Sequence, residues 1–493
     1  MWPSNPRGLI LLLVAGCTQR GRDGHEDMAS PDSGAPDSAS ETDDTDTAED
    51  SDTDTESNID PGCPWLGDPV ADRKVCGGGE VSLDGLVRAI TADVDGVAGE
   101  DLLLLSTHTT PGASVGILSG PVIPGTSGLS GSDSTVRCHS NLLASLRNLA
   151  FGDVTGDGLL DVVLSEPPID TPIDVSRGPV SILSTPLSGA LSLDDTPLYF
   201  DSTGTTPYSA VGVHVADFDA DGVDDVMNVT SPSGDYTSDT GKFIFHTGPI
   251  LEPEAYDAGD VVWTVGDWED DIMAGAFVQT GDMDGDGIVD VVIPGAALDT
   301  IFILPGPITQ GAAREDAIEI AGVGEGLSLS ARFELDDGNG DGHVDALFTY
   351  FTDETIHVIK NGPLEAGQAI ADAERTIRDP SDYRFVRPLF IADQDGDDGE
   401  EFAVATSATE GDDGLTNVYV VRSGGAGTHV LGIDPPDWTF RGEGYAGDAQ
   451  FQSDRAGDLN GDGFDDFVIV DSRDFDWSAP VVTYAYVFFG PLF

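Results

Sequence analysis

The stretch richest in possible chemistry is Asp282-Met283-Asp284-Gly285-Asp286-Gly287-Ile288-Val289-Asp290. Aspartates stand at positions one, three, five and nine of a nine-residue loop, with glycines at four and six. A carboxylate at every second residue of a curled loop turns several oxygens toward one centre, and the glycines let the backbone curl that sharply. An anionic, all-oxygen ligand set suits a hard cation, and Ca²⁺ fits best. The apolar run Val291-Val292-Ile293 follows directly and reads as a buried strand. The spacing therefore predicts a calcium loop inside a β-hairpin rather than between two helices.

The same spacing recurs along the chain, starting at Asp93, Asp153, Asp217, Asp282, Asp337, Asp393 and Asp458. The shortest step, Asp282 to Asp337, is 55 residues, and the two longest, Asp217 to Asp282 and Asp393 to Asp458, are 65. A merely acidic surface gives no reason for aspartates to fall on one repeated template, so the chain reads as a repeat protein. Each unit brings the same elements to its loop. A first strand leads in, as in Leu86–Thr91, Val211–Ala216 and Gly275–Thr280. A nearly continuous apolar strand leads out, as in Leu102–Leu105, Val162–Leu164, Phe402–Val404 and Phe467–Val470. Such strands, apolar on both faces, belong innermost. A third strand ends in a Gly-Pro turn, as in Lys242–Pro249, Ile301–Pro307, Ile356–Pro363 and Tyr484–Pro491. A more polar fourth strand closes the unit, as in Val261–Val265 or Trp438–Phe440.

Four antiparallel strands repeated in this way predict an all-β fold, a seven-bladed β-propeller of four-stranded blades, each packed on its neighbours. The last unit stops after its third strand, at Gly490-Pro491-Leu492-Phe493. The spare strand-like segment Glu80–Leu83 is expected to complete that blade and close the ring.

With these motifs in view, the sequence resembles the FG-GAP repeat family, the propeller repeat of integrin α-subunit heads and of many exported bacterial proteins. The resemblance rests on Phe151-Gly-Asp-Val-Thr-Gly-Asp-Gly-Leu-Leu-Asp161 and Gly457-Asp-Leu-Asn-Gly-Asp-Gly-Phe-Asp-Asp466, and covers about residues 79–493. It implies structural Ca²⁺ bound by the side chains at positions one, three, five and nine and by the carbonyl at seven. In blade two that set is Asp153, Thr155, Asp157 and Asp161 with Leu159; in blade three, Asp217, Asp219, Asp221 and Asp225 with Val223. Blade four has Asp282, Asp284, Asp286 and Asp290 with Ile288; blade five has Asp337, Asn339, Asp341 and Asp345, with His343 giving only its carbonyl. Blade seven has Asp458, Asn460, Asp462 and Asp466 with Phe464. Blade six departs in part: Asp393, Asp395, Asp397 and Glu401 with Gly399 remain, but Asp398 replaces the glycine at six. Aspartate tolerates the left-handed conformation better than most residues. Blade one keeps Asp93, Asp95 and Asp101 but has Val97 at five and Ala98 at six, so its loop is expected to be weak or empty. Five or six of the loops are expected to fill.

The remaining segments point to export. Gly8–Gly16 is apolar but far shorter than the roughly 20 residues of a membrane span, and fits a signal-peptide core over residues 1–16. The run Leu13-Val14-Ala15-Gly16-Cys17 resembles a bacterial lipobox, which implies lipidation of Cys17. Residues 17–61 are acidic, rich in Ser, Thr and Asp, and read as a disordered tether because almost nothing apolar offsets the entropy of ordering them. Residues 62–78 form a Cys-bearing connector, and the propeller occupies 79–493. Setting Cys17 aside leaves Cys63, Cys76 and Cys138; Cys63–Cys76 is the favoured disulfide, with Cys76–Cys138 as the alternative. The formal net charge is −69, which makes nucleic acid and anionic lipid surfaces poor partners.

No constellation of catalytic residues emerges. His214 and His357 fall in strand patterns and read as packed. Trp263, Trp268, Trp438 and Trp477 could line a sugar site but suit blade packing better. Gly152, Gly156 and Gly158 belong to a cation loop, since no following helix or lysine completes a phosphate loop. Asn228-Val229-Thr230 matches a glycosylation acceptor. The expectation is a monomeric, non-catalytic recognition or adhesion module of the bacterial cell envelope, tethered by lipid on the outer membrane or cell surface, with a protein or polysaccharide ligand. A glycan- or lipid-anchor-processing enzyme and a ligand-free structural envelope protein are the rival readings.

Overall fold

The computed structural model describes residues 73–77, 85–97, 99–107, 114–122, 125–128, 134–137, 148–165, 180–201, 209–231, 242–255, 259–264, 278–295, 300–308, 316–322, 328–351, 355–379, 388–391, 393, 399–406, 417–422, 427–430, 438–441, 450–472 and 483–490. All fall in the compact unit Glu56–Phe493. Cys17, Cys63, Cys138, Trp268, Trp477 and the signal, tether and lipobox segments lie outside the described residues. Among the described residues, short 3-10 turns such as Leu193–Asp195 and Ile370–Asp372 interrupt a structure otherwise made of strands.

The described strands form separate small sheets, and each acidic loop joins the first two strands of one of them. Each sheet is numbered here by its loop. In sheet four, Gln279–Gly281 pairs antiparallel with Asp290–Gly295, that strand with Thr300–Leu304, and that with Ile318–Ala321. Sheets three and six repeat the arrangement with Ser209–Ala216, Asp225–Ser231, Lys242–His246 and Val261–Thr264, and with Pro388–Ile391, Glu401–Thr406, Asn417–Val421 and Trp438–Arg441. β-branched and aromatic residues dominate the second and third strands because both faces are buried between sheets.

Alternating residues of one strand serve different neighbours. Val162 and Leu164 of sheet two share a core cluster with Leu103 and Leu105 of sheet one. Val163 points the other way and joins Val226 and Ile244 of sheet three. Met227 and Phe245 of sheet three pack with Val291 and Phe302 of sheet four; Val292 and Ile303 of sheet four pack with Phe333 and Phe348 of sheet five. Leu347 and Ile377 of sheet five meet Phe402 and Val404 of sheet six. The first strands of sheets six and seven touch, and Val468 and Val487 of sheet seven pack with Leu102 and Leu104 of sheet one. The packing order thus returns to its start.

Two features differ from expectation. The strand that completes sheet seven is Arg73–Gly77, paired antiparallel with Thr483–Phe488; it comes from the connector, and Glu80–Leu83 lies outside the described residues. The connector forms this strand because Val75 and its neighbours can extend the open edge left after the third strand. Second, several sheets gain a fifth, parallel strand lent by the next unit. Gly125–Gly128 of unit one pairs with Arg73–Gly77, Ala190–Ser192 of unit two with Ser134–Arg137, and Glu254–Ala255 of unit three with Leu198–Asp201. Gly427–Val430 of unit six does the same with Arg375–Asp379. These short additions occupy outer edges that would otherwise expose unpaired backbone.

Candidate metal loops

Loop four shows how the loops are built. Asp290 opens the second strand and is fully buried. Its Oδ2 accepts the N–H groups of Met283 (2.8 Å) and Asp284 (3.2 Å), and its Oδ1 accepts Gly306 N–H (2.9 Å). Asp282 accepts from Gly285 and Asp286 through Oδ1 and from Gly287 through Oδ2, at 2.8 to 3.0 Å. The exposed Asp286 caps Ile288 N–H at 2.8 Å. Carboxylates therefore shape the loop by binding its own backbone donors, and they are held close to one another.

The pattern repeats. Asp101, Asp225, Asp345 and Asp466, all at position nine and all buried, accept the N–H of Gly120, Gly248, Gly362 and Gly490 at 2.8 to 2.9 Å. These glycines belong to the Gly-Pro turns after the third strands, so the turn residue that looked like punctuation ties each third strand to its loop. A Cβ at Gly362 would lie 2.2 Å from the Val344 carbonyl oxygen, so the close approach demands glycine.

Among the described residues, carboxylate oxygens converge at three loops. One carboxylate oxygen from each residue lies within 4.8 Å of the others in Asp93/Asp95/Asp101, in Asp217/Asp219/Asp225 and in Asp282/Asp284/Asp290. These are positions one, three and nine. The position-five aspartates Asp221 and Asp286 stand outside the groups and cap position seven instead. Loop one gathers its three carboxylates as loops three and four do, although Val97 occupies position five. Val97 is 58% exposed, so the site loses a position-five carboxylate without losing the shape of the loop.

In loops two, five and seven position three is Thr155, Asn339 or Asn460, so a carboxylate is missing there. Asp153, Asp337 and Asp458 nevertheless hold the backbone donors of positions five and six as Asp282 does. Asp157, Asp341 and Asp462 cap Leu159, His343 and Phe464. Asn339 donates to Asp345 Oδ1 at 3.2 Å, while Asn460 donates to Asp462. Buried polar atoms without a hydrogen-bond partner remain at Thr155 Oγ1, Asp161 Oδ1 and Asp345 Oδ2. Buried oxygens left without donors suit a bound cation. In loop six Asp393, Gly399 and the buried Glu401 are described, while Asp395, Asp397 and Asp398 lie outside the described residues.

The electrostatics agree with this geometry. Burial pushes the Asp225 and Asp290 carboxyls up to about 6, and Asp345 and Asp466 up to about 7; backbone donors pull back and neighbouring aspartates add to the rise. Asp101, Asp161, Asp219 and Asp284 are raised from the same leading cause. Holding these groups ionised is costly without a counter-charge.

Two kinds of functional position escaped the sequence reading. Position two is apolar and buried in Val94, Val154, Phe218, Met283 and Leu459. The carbonyl there accepts an N–H from the turn of the following unit: Leu187, Ile250, Ile308, Leu364 and Val122 respectively, at 2.6 to 2.8 Å. The repeated apolar residue after the first aspartate was the available signal. Position eight is the other, Asp224 in loop three and Glu100 in loop one. Other candidates resolve simply. Asn228 is fully buried within a strand, so it is no glycosylation acceptor. His214, His357, Trp263 and Trp438 lie in strands, as expected. Cys76 lies in the strand that completes sheet seven. Among the described residues no helix is long and apolar enough to cross a membrane.

No family model matches the chain, and comparison with curated proteins gives no match. Among solved structures, the chain is similar to BBS1N in complex with ARL6DN at 11% identity and a TM-score of 0.43, covering 85% of this chain and 94% of that one. It is similar to the Bacillus licheniformis rhamnogalacturonan lyase PL11 at 11% identity and a TM-score of 0.38, covering 82% and 71%. The Dos1 propeller matches at 9% identity and a TM-score of 0.34, covering 78% and 75%. Overlap this low assigns no activity to this chain.

Proposed function

We propose that the chain is a seven-bladed β-propeller of FG-GAP type whose hairpin loops hold structural Ca²⁺, and that it serves as a non-catalytic recognition module of the cell envelope. The observation that carries the reading is the repeated loop in which buried position-nine carboxylates converge with those of positions one and three. The cyclic packing order of the sheets supports the propeller. The orphaned oxygens of Asp161, Thr155 and Asp345 fit a hard cation. The ion would be held by the side chains at positions one, three, five and nine with the position-seven carbonyl, and its chemistry there is charge neutralisation.

Binding only to the folded state stabilises by mass action, about 2.7 kcal/mol per site at a hundredfold excess over Kd. Calorimetric Ca²⁺ titration, with melting curves in calcium and in chelator, tests the assignment. Binding at several loops and a large rise in melting temperature are expected; no heat and superimposable melts would sink it.

The ligand is proposed to be a protein or polysaccharide met by a face of variable loops, with the chain monomeric and no nucleic acid involved. Removing Cys17 is expected to release the protein from membranes, as proposed for an outer-membrane lipoprotein. Turnover of a glycan panel, abolished by one substitution outside the metal loops, would replace this reading with an enzyme.

A further inference from the structure

We infer that neighbouring cation loops are coupled in series, with Asp224 the residue that couples loop three to loop two. This rests on the cation reading above and adds a property that reading does not require. Asp224 stands at position eight of loop three, between the position-seven carbonyl of Val223 and the carboxylate of Asp225. Its side chain does not turn inward to its own loop. Its Oδ2 accepts the N–H of Asp153, position one of loop two, at 2.8 Å, and its own N–H donates to the Asp153 carbonyl at 3.3 Å. Val223 lies against the same loop, since a Cβ at Gly156 would come within 3.6 Å of its methyl. Asp225 reaches loop two as well: it holds Gly248, and two residues on Ile250 donates to the Val154 carbonyl.

Asp224, flanked by two proposed ligands of loop three, thus grips the first ligand of loop two at both its N–H and its carbonyl, while Val223 and Asp225 brace the rest of that loop. A cation in loop three fixes Val223 and Asp225, hence Asp224, hence the position of Asp153. Outer partners that orient a ligand typically change metal affinity about 10- to 100-fold. A second junction has a related design. Glu100, at position eight of loop one, accepts the N–H of Gly457, the residue before Asp458 of loop seven, at 3.0 Å, a donor shared with Thr91 Oγ1 at 3.3 Å. At two other junctions position eight is apolar. It is Val289 in loop four and Val344 in loop five, where a Cβ placed on Gly281 would lie 3.4 Å from a Val344 methyl. The molecule therefore carries its own comparison: carboxylate-linked and apolar junctions on one scaffold.

The test is a set of Ca²⁺ titrations of the full chain by calorimetry. The loop-two signal is identified as the heat missing in Asp157→Ala. Loop three is emptied by Asp219→Ala and loop four by Asp284→Ala, each of which removes one of the converging carboxylates. Emptying loop three is expected to weaken loop two about tenfold. Emptying loop four is expected to weaken loop three far less. Asp224→Ala should weaken loop two to the same extent and make it indifferent to loop three, while Asp224→Asn, which keeps an acceptor oxygen for Asp153 N–H, should preserve the coupling. Glu100→Gln and Glu100→Ala give the same contrast at loop seven should Asp224→Ala fail to fold. Loop-two affinity independent of loop three, or coupling unchanged in Asp224→Ala, overturns the inference while leaving calcium binding intact. Absence of any Ca²⁺ binding by the unmodified chain overturns both.

Discussion

At the scale of single residues, the position-nine aspartate does more for the fold than its place at the end of an acidic run suggests. Asp290→Ala would leave the buried N–H of Met283 and the part-buried N–H groups of Asp284 and Gly306 without this acceptor. A buried donor left unsatisfied costs about 1–3 kcal/mol and part-buried ones less, so a loss of about 3 kcal/mol is expected in denaturant melts even in chelator. Asp286→Ala removes only an exposed cap and should cost about 1 kcal/mol without metal. Equal effects would contradict the division of labour between positions five and nine. Loop three offers a gain instead. Ala220 holds a φ of 64° where the other described loops have glycine at position four. Left-handed backbone costs a non-glycine residue about 1–2 kcal/mol, so Ala220→Gly is expected to raise stability by roughly 1 kcal/mol in the same melts.

At the scale of elements, the Gly-Pro turn and the hairpin loop behave as one joint. In units one, three, four and five the turn donates once to its own position-nine carboxylate and once to the position-two carbonyl of the unit before. The closing strand is a second such element. Deleting residues 73–77 removes five antiparallel pairs from sheet seven and exposes the edge of Thr483–Phe488. The melting temperature is expected to fall by roughly 5 °C or more. An unchanged melt would show that the cyclic order of sheets needs no strand from the N-terminal side. The strands were readable in the sequence because Val, Ile and Phe runs such as Val291–Ile293 are apolar on both faces. The parallel additions were not: Glu254–Ala255 and Gly125–Gly128 are too short and too polar for a periodic signal, and their pairing partners lie in another unit.

At the scale of the whole molecule, charge sets the stability. Asp225, Asp290, Asp345 and Asp466 have folded-state values of about 6 to 7, against about 3.9 for an aspartate in an unfolded chain. In that window the metal-free folded state binds protons that the unfolded chain does not. Metal-free stability therefore rises as pH falls from about 7 toward 4, and is lost again as pH climbs through the folded values. Melts in chelator are expected to be higher at pH 5 than at pH 8. With calcium the order reverses, because protons compete for the same oxygens and Ca²⁺ affinity falls below about pH 6. A chelated protein that melts higher at pH 8 would mean that other groups dominate.

The sequence by itself determined the repeat, the hairpin position of each acidic loop and the strands around it, because these depend on local spacing: alternate carboxylates, glycines where the chain turns, apolar runs where both faces are buried. It also placed Asp93, Asp95 and Asp101 on the template, and their carboxylates converge although Val97 stands at position five. Tertiary structure alone decided what lies between units. Arg73–Gly77 rather than Glu80–Leu83 completes sheet seven because an open sheet edge selects whichever segment can reach it in register. Asp224 and Glu100 face the preceding loop because the sheets pack side by side, a proximity across 71 residues in one case and 357 in the other. No periodicity within a unit encodes that contact, since its geometry exists only once two units have folded against each other.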